Sequence, residues 1–249
     1  MIEETKQMMN SMKFLGMLKS LDVRLHEANS NDWGHSEFIS ALVTDEKLYR
    51  DDQNTKRRIR VAQFRTEASL EKIDFTSKRT LTKAQVSELK NLKFIREPRN
   101  LIFMGPTGVG KTYLATALGN LACRDGYTVI FMGMNLFIEK TLMSRAEGSF
   151  MRFREKLIKT DLLILDDLGI KKLPVTAVQD LYDILEERYQ TKSTMITSQL
   201  PITNWKEVIE DQVALEAILD RLIHGAIKIE MKGESYRKKR GVEEKVDKV

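Results

Sequence analysis

Cysteine, proline and long apolar runs are scarce in this chain, and each scarcity excludes something. A single cysteine, Cys123, rules out an internal disulfide and reads as a packing residue. The three histidines, His26, His35 and His224, are scattered and have no cysteine partners, so no zinc site is expected. No apolar stretch approaches the length of a membrane span, and the opening Met1-Ile-Glu-Glu-Thr-Lys lacks a signal-peptide core. The expected location is therefore cytoplasmic, with no membrane partner. Neither sign of charge dominates: 41 Lys and Arg stand against 36 Asp and Glu, a net charge of +5. That balance suits a polyanionic partner, and a mixed solvated surface explains it too. Clustering is the better clue, in Lys56-Arg57-Arg58-Ile-Arg60 and Arg237-Lys-Lys-Arg240.

What is present is organised around residues 101–112. The apolar run Leu101-Ile-Phe-Met104 ends at Gly105, and Gly105, Pro106, Thr107, Gly108, Val109, Gly110, Lys111 and Thr112 spell G-x-x-x-x-G-K-T. A loop of this pattern forms a concavity of backbone N–H groups at a helix mouth, where negative charge is favoured. Glycines are needed there because side chains would block positive φ or the approach of a phosphate. Lys111 would reach the β- and γ-phosphates and the Thr112 hydroxyl would face Mg²⁺. The flanks comply, with a strand before and an Ala- and Leu-rich helix, 113–122, after. The expected ligands are a nucleoside triphosphate, ATP, and Mg²⁺.

Length and a 42% hydrophobic content suit one medium domain with a smaller appendage. Residues 1–75 contain no proline and read as a small helical domain. A stripe of Met8, Met12, Leu15 and Leu18 is its expected first core face, and Ser36 its expected second cap. Residues 74–80 read as a linker, and Thr82-Lys-Ala-Gln85 has the form of a capping box. Past the loop, helices and strands alternate, the pattern of a parallel α/β sheet over 76–232, followed by a basic tail, 233–249.

Leu162-Leu-Ile-Leu165 reads as a strand buried on both faces, with Asp166 and Asp167 at its carboxyl end. In doubly wound sheets ligands bind at that end. Asp166 would hold Mg²⁺ and Asp167 would orient or deprotonate the attacking water; a helix-capping pair is the alternative. A further strand, 193–197, delivers Ser198-Gln199 to the same edge, as a γ-phosphate contact or a plain surface turn.

With these motifs in place the chain resembles the AAA+ ATPases of the IstB and DnaC group, and in particular IstB-type helpers of insertion sequences. The marks are the loop 105–112, Leu165-Asp-Asp-Leu-Gly169, Ile196-Thr-Ser-Gln199, Ile218-Leu-Asp-Arg221-Leu-Ile-His224, Gly233-Glu-Ser-Tyr-Arg237 and the segment leading to Ile73-Asp-Phe75. The resemblance implies a P-loop NTPase sheet with a small N-terminal all-α domain and little or no C-terminal lid. It implies Asp166 as the Walker B metal residue, Asp167 as the catalytic acid and Gln199 at the sensor position, where the family usually has asparagine. Arg221 matches an arginine given in trans to a neighbour's γ-phosphate; a surface pair with Asp220 is the competing reading. Arg237 matches a position that reads nucleotide state, or is one more tail charge. Trans catalysis implies a homo-oligomer, and the helpers of this group assemble on duplex DNA and act on a transposase. Basic residues Arg145, Arg152 and Arg154, then Arg57 and Arg58, are the candidate phosphate contacts, against ordinary helical surface charge. A DnaC-like loader of a replicative helicase and a small-molecule P-loop kinase are the competing functions.

Overall fold

A computed structural model of the chain describes residues 2–73 and 81–233. The expected linker 74–80, Arg237 and the rest of the tail from 234 lie outside the described residues. The chain divides into two compact units, Met1–Arg57 and Arg58–Val249.

The first unit is helical: α1 (Ile2–Ser11), α2 (Leu15–Ser30) and most of α3 (His35–Ala62). The expected first stripe is realised only in Leu15 and Leu18, which are half-buried, because Lys13 takes a positive φ of 60° and separates α1 from α2. Met8 and Met12 are left exposed. The expected cap at Ser36 also moves, since α3 begins at His35 and the Glu37 carboxylate accepts the Gly34 N–H instead. What joins α2 to α3 is a close crossing at Gly16, where a methyl would lie 2.6 Å from the Glu46 Cα. The buried Glu46 carboxylate accepts the N–H groups of Gly16 (2.7 Å) and Met17 (3.1 Å), which α2 leaves unpaired at its first turn.

The second unit holds the last turn of α3, then α4 (Lys83–Lys90) and α5 (Lys93–Arg96) before the sheet. Thr82 and Gln85 form the expected capping box. Strands β1 (Leu101–Met104), β2 (Val129–Gly133), β3 (Leu162–Leu168), β4 (Ser193–Ser198) and β5 (Ile227–Glu230) are joined by α6 (Lys111–Arg124), α7 (Met134–Ala146), α8 (Phe150–Lys159), α9 (Val175–Arg188) and α10 (Gln212–Ile223). All pairings are parallel and the order is β2-β3-β4-β1-β5. Strand alternation divides the core: Leu101, Phe103, Leu162 and Ile164 face α6, whereas Ile102, Leu163, Leu165 and Ile196 face α9 and α10. Both faces of β1, β2 and most of β3 are covered, and those runs are apolar; buried β4 instead carries Ser193, Thr194, Thr197 and Ser198, and edge strand β5 is partly exposed. Cys123 is buried under this layer, and burial pushes its thiol up to about 11, a packing role. No helix among the described residues is long and apolar enough to cross a membrane.

Candidate functional site: a phosphate loop beside an acidic strand tip

Strand order builds the site. With β4 between β1 and β3, the loop after β1 and the acidic end of β3 open at one carboxyl edge, separated by one strand. The loop leaves β1 at Gly105, whose N–H donates to the Ser198 carbonyl of β4 (3.2 Å). Gly105 has a φ of 144°, and a methyl there would lie 2.0 Å from the Met231 carbonyl oxygen, so only glycine fits. Gly108 and Gly110 are also left-handed, at 86° and 102°, and turn the chain into α6. Val109 anchors the loop in the core. Lys111 is buried, and its ammonium donates to the carbonyls of Gly105 (2.7 Å) and Pro106 (2.9 Å), folded back over its own loop. Burial holds its pKa below the ordinary lysine value, against the pull of Asp167 and Asp166.

The Thr112 hydroxyl spans to β3 and donates to the Asp166 carboxylate at 3.0 and 3.1 Å. From the other side the Thr197 hydroxyl of β4 donates to the same carboxylate at 2.6 Å and accepts the Asp167 N–H at 3.0 Å. Asp166 is fully buried. Burial raises its pKa above the ordinary aspartate value, assisted by Asp167 and opposed by Thr197, Thr112 and Arg65. Asp167 adopts a left-handed φ of 63°, and the β3–β4 register skips between Leu165 and Leu168 at the same place. A carboxylate-bearing residue held in that region is strained, and the bulge turns it out of the ladder. Gln199 meets the loop directly, its carbonyl oxygen accepting the Thr107 hydroxyl at 2.8 Å. The neighbouring Ser198 hydroxyl closes a turn on Leu200 instead.

Loop, Asp166, Asp167 and Gln199 are thus gathered at one edge. Thr197 joins them unforeseen, since a β-branched residue in a strand reads as packing; its place one residue before Ser198-Gln199 was the available signal. Arg221 is elsewhere. Its backbone carbonyl accepts the Asn100 side chain (3.0 Å), just ahead of β1 at the opposite edge of the sheet. Its guanidinium pairs with Glu186 and Asp220 and lies 4.9 Å from the Tyr189 ring centre. Among the candidate nucleic-acid contacts, Arg145 is committed to buried Asp180 and stacks 3.9 Å from the Phe150 ring centre. Arg58 donates to the Cys123 carbonyl at 2.7 Å near the end of α6. The Arg154 Nε is buried without a partner, whereas Arg152 and Arg57 are exposed.

A five-stranded parallel sheet with a phosphate loop after one strand and paired aspartates after another defines a P-loop ATPase. The chain belongs to the family of IstB-like ATP binding proteins, whose model matches residues 7–244. It is 38% identical over 234 residues to the insertion-sequence ATP-binding protein y4pL of Sinorhizobium fredii, covering 94% of this chain and 96% of that one. An insertion-sequence ATP-binding protein of Mycobacterium tuberculosis is 34% identical over 230 residues, 92% of each chain. In fold the chain is similar to the DnaI crystal structure (TM-score 0.57, 20% identity, 71% of this chain and 94% of that one). It is also similar to the replication initiator DnaA bound to AMPPCP and single-stranded DNA (TM-score 0.56, 20% identity, 69% and 52%).

Proposed function

We propose that this ATPase is the helper of an insertion sequence, assembling in its ATP-bound form on duplex DNA without strong sequence preference and recruiting or stimulating the transposase. Lys111 and the N–H groups of the loop hold the triphosphate, and Thr112 with Asp166 holds Mg²⁺. Two adjacent carboxylates and a hydroxyl form a sparse oxygen set, which suits a cation that keeps waters and phosphate oxygens as its other ligands. When bound, Mg²⁺ supplies charge neutralisation at the β- and γ-phosphates. Asp167 takes the proton of the attacking water, and Gln199, anchored on Thr107, reports the γ-phosphate to β4. The observation that carries the ATPase chemistry is the Asp166 carboxylate within hydrogen-bond distance of Thr112, and the likeness to insertion-sequence ATP-binding proteins supports the helper role.

Arg221, on the edge opposite the loop, serves a neighbouring subunit's ATP and not its own. Release from Glu186 and Asp220 is then part of assembly. Arg237 serves as a nucleotide-state contact from the tail. Of the basic residues, exposed Arg152 and Arg57 are the first candidates for DNA phosphates. Arg145, Arg154 and Arg58 stand behind them, because their guanidinium groups are engaged or partly buried. Residues 1–75 act as a partner- or DNA-binding helical module.

The test is ATPase rate and sedimentation with and without duplex DNA, across a salt series. Assembly on DNA that weakens steeply with salt supports the helper. If DNA changes neither quantity, the helper reading fails and the ATPase stands; capture of a replicative helicase would then favour a loader. Arg221→Ala should bind ATP and not turn it over, with activity returning when mixed with Asp167→Asn chains.

A further inference from the structure

One short segment brings a positive charge to the acidic strand tip from outside the sheet. Residues 58–70 run along α6 and are fastened to it repeatedly. Asn120 donates to the Ala68 carbonyl (3.2 Å), and the Tyr113 hydroxyl bonds the Ser69 carbonyl (3.0 Å). Phe64 sits in a notch at Gly119, where a methyl would lie 2.7 Å from its ring, and meets Phe131 edge-on at 6.1 Å. Glycine in an otherwise Ala- and Leu-rich helix is explained by that ring. The next residue, Arg65, is thereby aimed at the end of β2. A methyl on Gly133 would come within 2.5 Å of an Arg65 guanidinium nitrogen, so the group lies on bare backbone. Gly133 is the register partner of Asp166 in the neighbouring strand. Among the described residues Arg65 has no hydrogen bond or ion pair of its own.

We propose that Arg65 is a positioning residue of the ATPase site, its guanidinium seated on Gly133 so that a positive charge stands beside the Asp166 carboxylate. Asp166 and Asp167 are consecutive like charges facing a polyanionic substrate. A cation next to them lowers their mutual repulsion and their repulsion of ATP before Mg²⁺ is in place. By the same field it opposes entry of Mg²⁺. Arg65 thus sets the balance between metal-free and Mg²⁺-assisted nucleotide binding, acting through Asp166 without touching substrate. The inference rests on the assignment of Asp166 to the cation.

The experiment titrates a fluorescent ATP analogue against the full chain, in EDTA and across a Mg²⁺ series. Arg65→Ala should weaken metal-free binding and move the Mg²⁺ half-saturation point to lower concentration, each by roughly three- to tenfold for one partly screened charge. Arg65→Lys should recover part of both shifts. Gly133→Ala, which displaces the guanidinium without removing it, should move both quantities in the direction of Arg65→Ala. A purely structural strap would change stability or turnover without opposing shifts in the two titrations. Superimposable titrations for a folded Arg65→Ala chain overturn the proposal. Asp166→Asn with an unchanged Mg²⁺ requirement instead removes the underlying assignment, whatever Arg65 does.

Discussion

The helical unit and the α/β unit solve one problem alike and differ in what stands behind the solution. Each buries one charged side chain whose partners are backbone groups at a helix end. Glu46 receives the free N–H groups at the start of α2. Arg188 gives its protons to the carbonyls of Leu157 (2.6 Å) and Thr160 (2.6 Å) at the end of α8, and to the Ser193 carbonyl of β4. Signs match the helix dipole in both cases, negative at the amino end and positive at the carboxyl end. Behind Arg188 stand two full apolar clusters. Behind Glu46 stand few buried apolar side chains, Leu21 and Leu42, while Met8, Met12, Val23, Ile39, Val43 and Leu48 are exposed. A unit with so little core depends on its polar fastenings; one with a thick core can carry a strained aspartate, Asp167, next to a buried one, Asp166.

That contrast can be broken in several places. The largest effect belongs to chemistry in the thick-cored unit: Asp167→Asn should lower turnover by at least about 100-fold while ATP binding and helix content stay. If ATP binding is lost as well, Asp167 supports the loop and does not act on water. Next is Arg188→Leu, which leaves several buried carbonyls unpaired and should destabilise the α/β unit by roughly 3 kcal/mol, read as a lower thermal midpoint. Unchanged stability would mean the core alone closes the amino edge of the sheet.

A smaller change is expected from Gly16→Ala, about 1–3 kcal/mol from overpacking the α2–α3 crossing. Amide exchange should rise in α2 and stay unchanged in β1 and β3. Acid should act on the same unit. Although burial pushes Glu46 up, Arg50 and the N–H groups of Met17 and Gly16 bring its pKa below the ordinary glutamate value. Its contribution is therefore present above that ordinary value and lost as pH falls through the lowered one, so α2 should lose protection first below about pH 4. Simultaneous loss of α2 and β1 protection would show the units are equally robust.

The smallest effect has the opposite sign. Asp166 has a raised pKa, so the folded chain holds more protons than the unfolded one just above the ordinary aspartate value, and stability falls as pH rises through that window. Asp166→Asn should then stabilise the nucleotide-free chain at neutral pH by about 1 kcal/mol, a shift of about 2–4 °C. No rise would indicate that the threonine hydroxyls already offset the burial.

Much of the catalytic edge was legible in the residues because its physics is local. The loop needs glycines at fixed spacing, and Gly105, Gly108 and Gly110 all take the left-handed φ for which they were singled out. Strands buried on two faces announce themselves as apolar runs, so β1 falls where the pattern put it and β3 begins there, but β3 runs on through Asp166 and Asp167 to Leu168. The helical unit was read less well. Periodicity in Met8, Met12, Leu15 and Leu18 suggested a core face, but a break at Lys13 leaves the two methionines in solvent and only the leucines half-buried. Arg65, and Thr197 apart from its place beside Ser198-Gln199, were hard to read for a different reason, since each meets a partner far away in sequence, Gly133 for Arg65 and Asp166 for Thr197.

Sequence by itself determined that a triphosphate loop, an acidic strand end and an alternating α/β chain are present, because each is a short pattern of backbone and side-chain requirements. Tertiary structure decided which groups meet. Parallel register set Gly133 beside Asp166, and strand order brought Thr197 to Asp166 and Gln199 to the loop. It also carried Arg221 to the opposite edge, where it has partners of its own. Pairing between strands is a long-range choice made by the whole core, and no local pattern of residues contains it.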